Sequence, residues 1–554
     1  MTAVSSETGG IGRSSTLLAA GTLLSRILGF ASAIVLAQTI GNRTDGANAF
    51  ALANQLPNNI YAIIAGGLLS AVFVPAIVRA GLHDDGGQRF INRLVTLAVV
   101  VFVGAAVIGT IAAPALIRLY SSFSSESRSS DFLQLATAFA YWCLPQILFY
   151  ALYSLFGEVL NARGLFGPFT WAPAINNVIV IIGLVVFTVS FGTDANVADA
   201  TAWTPQMVAT LGGFTTLGVA CQAVLLTFFW RRAGLSYRPD FHWRGAGLGT
   251  AGKAAAWTFG MILVTQLAGI VQSQATFIAA DSDTDDAAYA ILRNGWLIFM
   301  LPHSIAAVSI ATAYFTRMST HHRDGRSREL IDDLASSLRS IGLIIVFASV
   351  GLMVLAFPFS ALFAKNGSFA DVSAMAPVLI AFLAGLVPFS ILYVLRRTFY
   401  AVGDTRTPFF ITVFQAILFV AGAQYVMTLP ANQIALGIAV LTSLAGTAQT
   451  IAAIVMLRRK LGTLHGSIVV RRHVQFVAAA LPAALLGLGI VAVFGGFAAD
   501  GFAVSTPTGA AITMVVAGTV MAVVYGAVLT VMRNPEIAAF LAPILRRLRR
   551  PNAR

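Results

Sequence analysis

The stretch SRILGFASAIVLAQTIG, residues 25–41, places one arginine, Arg26, inside an apolar helical run. No other charged residue occurs between Arg13 and Arg43. Apolar runs of about 20 residues recur along the chain, and each is long enough to cross a hydrocarbon core of ~30 Å. Lipid cannot satisfy backbone hydrogen bonds, so such runs form helices, and the alternating pattern of a barrel is absent. The sequence therefore predicts an all-α polytopic membrane protein.

Composition supports the same class. Of the 554 residues, 57% are hydrophobic and 10% are charged, whereas soluble domains contain about 25% charged residues. The net charge is +13, but 29 of the 35 lysines and arginines fall on one alternating set of loops and termini. The positive-inside rule then places both termini in the cytoplasm. The basic excess thus indicates topology and contact with anionic inner-leaflet lipids, and we expect no nucleic-acid partner.

Hydropathy predicts about fourteen transmembrane spans, an even number as the cytoplasmic termini require. They are 15–40, 47–78, 94–120, 132–160, 168–192, 204–230, 253–280, 287–316, 338–364, 373–395, 407–429, 433–457, 474–499 and 508–532. The acidic turn DSDTDD, residues 281–286, falls on the opposite side from the basic loops.

An internal repeat suggests two halves. LYSLFGEVLNARGLFGPF starts at Leu152 and LYVLRRTFYAVGDTRTPFF starts at Leu392, and QLPNNI from Gln55 is echoed by MLPHSI from Met300. We expect two six-helix lobes related by an axis along the membrane normal, with two extra C-terminal helices. The predicted divisions are a cytoplasmic tail 1–14, an N-lobe 15–232, a linker 233–252, a C-lobe 253–460, an added helix pair 461–533 and a basic amphipathic tail 534–554, which lies on the cytoplasmic surface or recruits a partner.

Catalytic and nucleotide-binding motifs are absent from the sequence. It contains no phosphate-binding Walker loop, no HExxH, no GxSxG and no Cys/His cluster at metal spacing. We therefore expect a transporter and not an enzyme, with no metal and no bound cofactor. A monovalent cation or proton gradient remains an open energy source.

Polar residues inside the spans are the candidate site. An arginine at mid-helix costs ~2.5–3.5 kcal/mol on insertion scales, so Arg26 either binds an anion or makes a structural contact. Asn54 and Asn58 lie four residues apart, as do Gln55 and Asn59, and each pair shares a helical face. These amides either join helices or line a polar cavity.

Four further residues complete the candidate set. Arg293 and Asn294 occupy the matching region of the eighth span, although Arg293 can instead reach the outer headgroups. Glu158 is an acid within a span; it pairs with an arginine, carries a proton, or lies at the inner interface near Arg163. Asp404 caps or turns the chain, with ion coordination as the alternative.

The segments SRILGF, NQLPNNIYAIIAGGLLSAVFVPAIVRA, LNARGLFGPFTWAPAINN and RRTFYAVGDTRTPFF resemble the MurJ (MviN) lipid II flippase family, in the family's order, over residues 15–425. The resemblance implies two lobes in a V around a central cavity, with spans thirteen and fourteen forming a groove for a polyprenyl tail. It also implies that Arg26 meets the substrate's pyrophosphate. Tyr61 and Ala62 stand where many members carry charge, which implies a less charged cavity.

The function implied by this resemblance is export of the undecaprenyl-pyrophosphate-linked disaccharide pentapeptide (lipid II) across the bacterial cytoplasmic membrane. Alternating access driven by membrane potential or an ion gradient is the expected mechanism, and cell-wall synthesis or division proteins are possible partners. A small-molecule antiporter of the same fold and a non-transporting cell-wall scaffold are the alternatives.

Overall fold

The computed structural model describes residues 7–68, 88–121, 126–163, 165, 167–192, 197–242, 253–280 and 289–548. The FVP part of the family segment, the acidic turn 281–286 and the arginines at 549–550 lie outside these residues, and the side chains of 543–548 are not described either. The described chain is helical and contains no strand.

Contacts divide the chain into two compact units, Met1–Ala290 and Ile291–Arg554. The helices up to the boundary are α1 Glu7–Ile40, α2 Asp45–Leu68, α3 Gln88–Ile111, α4 Ala113–Ser121, α5 Glu126–Cys143, α6 Gln146–Ala162, α7 Gly167–Phe191, α8 Pro205–Phe228 and α9 Lys253–Ala280. The next helix, α10 Tyr289–Pro302, crosses the boundary and is followed by a π-helix, His303–Ala307.

The helices after the π-helix are α11 Val308–Arg323, α12 Ser327–Val354, α13 Ala356–Ala361, α14 Phe369–Ala384, α15 Leu386–Ala401, α16 Arg406–Val426, α17 Ala431–Leu461, α18 Gly466–Val493, α19 Phe502–Ser505, α20 Pro507–Val531 and α21 Pro535–Leu548. The predicted division into six-helix lobes and added segments is a finer partition than these two units, and it stays a prediction.

The polytopic helical class is confirmed. Among the described residues, 12 helices are long and apolar enough to cross a membrane, and 13 if α14 and α15, bent by 41° at Gly385, form one span. α2 coincides with the described part of the predicted span 47–78. α12 begins ahead of the predicted span 338–364, because Asp333 in its first turns is buried against α11 and bonds Arg317 at 2.6 Å.

In the first unit, close helix contacts fix the position of α1. Gly21 lies against the Trp171 ring of α7, and a side chain at Gly21 would collide with that ring. One turn further along α1, Asn177 Nδ2 donates to the Ser25 carbonyl at 2.9 Å. α1 is thereby anchored to α7 immediately beside Arg26.

In the second unit, the last two long helices pack on α12. The Tyr525 hydroxyl of α20 donates to the Leu343 carbonyl at 2.8 Å, and its ring stacks on Phe347 at 5.0 Å. From α18, His473 packs against Gly342, where a Cβ would meet the His473 ring at 2.5 Å. The two helices predicted as an addition therefore share a core with α12.

Candidate functional site

Arg26 is half-buried on α1, within a helix that is long and apolar enough to span a membrane. Its guanidinium makes no hydrogen bond or ion pair with any residue that the structure describes. The neighbouring Ser25 carbonyl is held by Asn177, so the backbone here is fixed while the charged group stays available. A guanidinium offers five N–H donors in a fork that matches phosphate oxygens.

The Gln55 and Asn59 pair of α2 joins helices. Gln55 Nε2 donates to Asn59 Oδ1 at 3.0 Å, and Asn59 Nδ2 lies 3.5 Å from the Tyr120 hydroxyl of α4. Gln266 Nε2 of α9 donates to the Asn59 carbonyl at 2.7 Å. This geometry supports the helix-joining interpretation for these amides, since their hydrogen-bonding capacity is used across three helices.

The two residues of the other pair, Asn54 and Asn58, lie in different surroundings. Asn54 Oδ1 accepts a long hydrogen bond of 3.5 Å from Gln146 Nε2, which also donates to Thr216 Oγ1 at 2.9 Å. Asn58 is exposed and bonds no described residue. Sequence reasoning missed Gln146, a fully buried amide whose position directly after Pro145, inside an apolar run, was the available signal.

Glu158 lies on α6 in a polar strip that faces α2. Tyr61 of α2 hydrogen-bonds Ser154, and its ring lies 6.1 Å from that of Tyr150. Residues 150, 154 and 158 succeed one another at helical spacing, so they share one face of α6. Glu158 is half-buried and forms no ion pair with Arg163 or with any other described residue.

Arg293 and Asn294 are half-buried on α10, and each makes at least one further interaction. They belong to the second unit and Arg26 to the first. Their joint contribution to one cavity with Arg26 stays a prediction.

Asp404, by contrast, has a carboxylate that accepts several hydrogen bonds. It accepts from the Thr407 N–H at 2.9 Å in the first turn of α16, from Thr407 Oγ1 at 2.7 Å, and from Lys460 Nζ at 2.7 Å. Partial burial alone would raise the pKa of Asp404, but the Lys460 and Thr407 hydrogen bonds outweigh it and lower that pKa. The carboxylate acts as a cap and an ion-pair partner. In the described ranges, no three His, Cys, Asp or Glu side chains are placed to hold a metal ion.

An apolar cavity of about 620 Å³ lies in the second unit. Its walls come from α12, α15, α17 and α18, and they include Leu338, Ile391, Val470 and His473. The wall area is almost entirely hydrocarbon, so the cavity fits an aliphatic chain and not a charged group.

One carboxylate joins two of these walls. Glu536 of α21 forms ion pairs with Arg339 of α12, at 2.9 Å, and with Arg472 of α18, at 3.4 Å. Each arginine directly neighbours a helix turn that lines the cavity. Asn534, which is 2% exposed, donates to Gln475 Oε1 and accepts from the backbone N–H of Glu536. The C-terminal helix is therefore docked by polar contacts at its first turn.

Comparison with known proteins gives a consistent result. The profile described as "Lipid II flippase MurJ" matches residues 36–512. Curated relatives include the probable lipid II flippases MurJ of Haemophilus influenzae, 26% identical over 70% of this chain and 75% of the relative, and of Vibrio cholerae, 25% identical over 72% and 74%.

Solved structures share the fold. A lipid II flippase MurJ in an inward closed conformation matches with a TM-score of 0.69 at 18% identity, covering 94% of this chain and 100% of that one. An inward-facing multidrug resistance MATE family transporter of the MOP superfamily matches with a TM-score of 0.59 at 16% identity, over 80% of this chain and 96% of that one.

Proposed function

Because this chain belongs to the lipid II flippase MurJ family, we propose that it moves lipid II from the inner to the outer leaflet of the cytoplasmic membrane by alternating access. The family is one of transporters and not of enzymes. Under this proposal the disaccharide-pentapeptide headgroup crosses through a polar cavity while the polyprenyl tail stays in apolar surroundings.

The observation that carries the proposal is the half-buried Arg26 without a described partner. A pyrophosphate cannot enter hydrocarbon unaided, because desolvating its charges is prohibitive. A guanidinium already held within a spanning helix replaces part of the lost hydration with charge-assisted hydrogen bonds. Membrane proteins rarely keep an intramembrane charge without such a use. Arg26 is therefore assigned to the pyrophosphate.

Amides and a second cation supplement Arg26. The exposed Asn58 is the α2 amide best placed to meet a headgroup, while Asn54 and Gln55 support the helix contacts around it. Arg293 and Asn294 are proposed to contribute from the second unit. The apolar cavity bounded by α18 is proposed to hold part of the tail.

Membrane potential is the proposed driving force. Each elementary charge that crosses ~100 mV changes the free energy by ~2.3 kcal/mol, and an outside-positive potential favours outward movement of an anion. We also propose that both termini are cytoplasmic. The C-terminal arginines are proposed to bind anionic lipids of the inner leaflet. A drug antiporter of the same fold is less favoured, since Glu158 is the one acid we assign within a predicted span.

Reconstitution tests the proposal. Purified protein in vesicles is supplied with lipid II on one leaflet, and its appearance on the other is followed under an imposed potential. We expect transport by the wild type, a ~10–100-fold loss in Arg26→Ala from ~1.5–3 kcal/mol of lost charged hydrogen bonding, and partial activity in Arg26→Lys. Arg323→Ala, at an exposed arginine on the end of α11, is the matched control.

Three outcomes distinguish the proposed flippase, with its role for Arg26, from the antiporter and the scaffold. Wild-type transport with an unimpaired Arg26→Ala variant, at equal protein amounts, contradicts the headgroup role of Arg26. Transport of small organic cations but not of lipid II favours the antiporter. If the purified protein transports nothing in vesicles but still restores precursor export in cells, the scaffold is favoured.

A further inference from the structure

Another cavity, of about 490 Å³, lies in the first unit between α5 and the segment that leads into α8. Its volume falls within the range of small-molecule sites. One wall consists of a 3₁₀ turn, Ala200–Ala202, and the first turn of α8. The other wall is a single face of α5, because its lining residues follow helical spacing. They are Asp131, Gln134, Leu135, Ala138, Tyr141 and Trp142.

The two ends of this cavity differ in polarity. One end has three exposed polar residues, Asp131, Gln134 and Thr201. The floor is apolar, with Leu135 and Val208 each 5% exposed. Tyr141 and Trp142 form the other end, and ten residues of helix separate Tyr141 from Asp131, a rise of about 15 Å. Such a gradient along one helix face suits an amphiphile better than a uniformly polar solute.

The polar end lies where two spans begin. The candidate span Ser130–Asn161 starts one residue before Asp131, and the candidate span Pro205–Ala233 starts four residues after Thr201. A spanning helix enters the hydrocarbon close to its first residues. The polar end is therefore at the level of the lipid headgroups, and the Tyr141 end is at the level of the acyl chains.

The charge of the cavity indicates which headgroup it accepts. Asp131 forms no ion pair with any residue that the structure describes, and its hydrogen bond from Ser130 Oγ is long, at 3.4 Å. The lining residues include no lysine, arginine or histidine. The carboxylate thus attracts a cation and repels a phosphate. A primary ammonium brings three N–H donors, which can serve the carboxylate, the Gln134 amide oxygen and the Thr201 hydroxyl oxygen.

We propose that this cavity binds a membrane phospholipid whose headgroup carries a primary ammonium, with the ammonium at the Asp131 end and an acyl chain along α5 toward Tyr141. With both termini cytoplasmic, as proposed above, the two span beginnings lie at the outer leaflet, which supplies the lipid. The bound lipid stabilises the first unit, because a ligand that binds only the folded state shifts the equilibrium toward it. The site is separate from the one assigned to the transported headgroup.

The first test measures binding to the purified full chain in detergent by native mass spectrometry. The probes are dioleoyl phosphatidylethanolamine and its N-acetyl derivative, which have the same chains and phosphate and differ in the ammonium charge. We expect the wild type to prefer the amine about fivefold, the factor that the strongest exposed ion pairs supply. Asp131→Asn should bind both probes equally. Asp199→Asn, at an exposed acid that precedes the 3₁₀ turn and does not line the cavity, is the matched control and should keep the preference.

The second test concerns the acyl chain. Ala138→Phe places a ring in the apolar part of the cavity, and we expect it to weaken the binding of both probes by about tenfold, since each methylene group kept out of the cavity costs about fourfold. A thermal midpoint equal to that of the wild type, measured without added lipid, shows that the variant is folded. If the midpoint falls, the comparison of Asp131→Asn with Asp199→Asn decides alone.

Several results would overturn the proposal. Equal binding of the two probes by the wild type, or a preference that persists in Asp131→Asn, excludes the ammonium site. A folded Ala138→Phe variant with unchanged binding excludes the acyl chain from the cavity. Lipid II binding that is lost in Asp131→Asn, without any binding of phosphatidylethanolamine, assigns the site to the transported substrate instead. None of these measurements involves transport, so the flippase proposal is tested separately by reconstitution.

Discussion

The charged groups singled out above lie in different surroundings in the two units of the chain. In the first unit, Arg26 and Glu158 are half-buried in spanning helices and bond no described residue. In the second, the acids Asp333, Asp404 and Glu536 are each held by ion pairs to neighbouring helices. Removal of one partner from a buried ion pair destabilises a fold, whereas an unpaired charge inside a span is costly and often functional.

The two Leu-Pro segments also differ in the surroundings of the residue that follows the proline. Pro57 lies inside the continuous helix α2, and the following Asn58 is exposed. Pro302 ends α10, and the following His303 is buried against Ser390 in a π-helix. One segment presents an amide and the other encloses a titratable ring. The comparison teaches that a repeated motif can place its polar side chain at an exposed position in one half and in a buried contact in the other.

Glu536 provides the largest expected effect on stability. Glu536→Ala removes a carboxylate that is 11% exposed and forms ion pairs with both Arg339 and Arg472, and it leaves two cations close together. We expect the free energy of unfolding to fall by ~2 kcal/mol, measured as a lowered thermal midpoint in detergent. Asp332→Ala, at an acid that is 69% exposed and pairs with His465, is expected to change it by less than ~0.5 kcal/mol. Equal midpoints for the two variants contradict the structural role assigned to Glu536.

Asp404 gives an intermediate, pH-dependent effect. Asp404→Asn loses the Lys460 ion pair, for which we expect about 0.5–1 kcal/mol at pH 7. Because the folded-state pKa of Asp404 is lowered, its contribution is fully present above the unfolded pKa of ~3.9 and is lost as pH falls through the folded value. The gap between wild-type and variant midpoints should be constant from pH 5 to 7 and should shrink below pH ~4. A gap that grows on acidification would have the opposite sign and would contradict the stabilising role of the Asp404–Lys460 ion pair.

The fold class was predictable because hydropathy and loop charge report on the bilayer directly. Runs such as 168–192 and 508–532 lie within a few residues of α7 and α20. Helix ends were less predictable, since α12 begins in a charged segment that is stabilised by the contact of Asp333 with Arg317, made across the turn between two helices.

The candidate site was predictable only in part. Arg26 was recognisable because a lone charge interrupts an apolar run. The spacing of Gln55 and Asn59 predicted their shared face, but Asn54 and Asn58 have the same spacing and different surroundings. His303 depends on Ser390, and Glu536 on Arg339, so both are defined by contacts between distant segments that local sequence does not specify.

Arg26 has the smallest expected effect on stability and decides the central claim. Arg26→Ala loses no described contact, so its thermal midpoint should match that of the wild type within the equivalent of ~0.5 kcal/mol. The decisive measurement is the affinity of both proteins for undecaprenyl pyrophosphate and for undecaprenyl monophosphate. We predict that the wild type prefers the pyrophosphate and that Arg26→Ala loses this preference at unchanged stability. A preference that survives in Arg26→Ala would contradict the account.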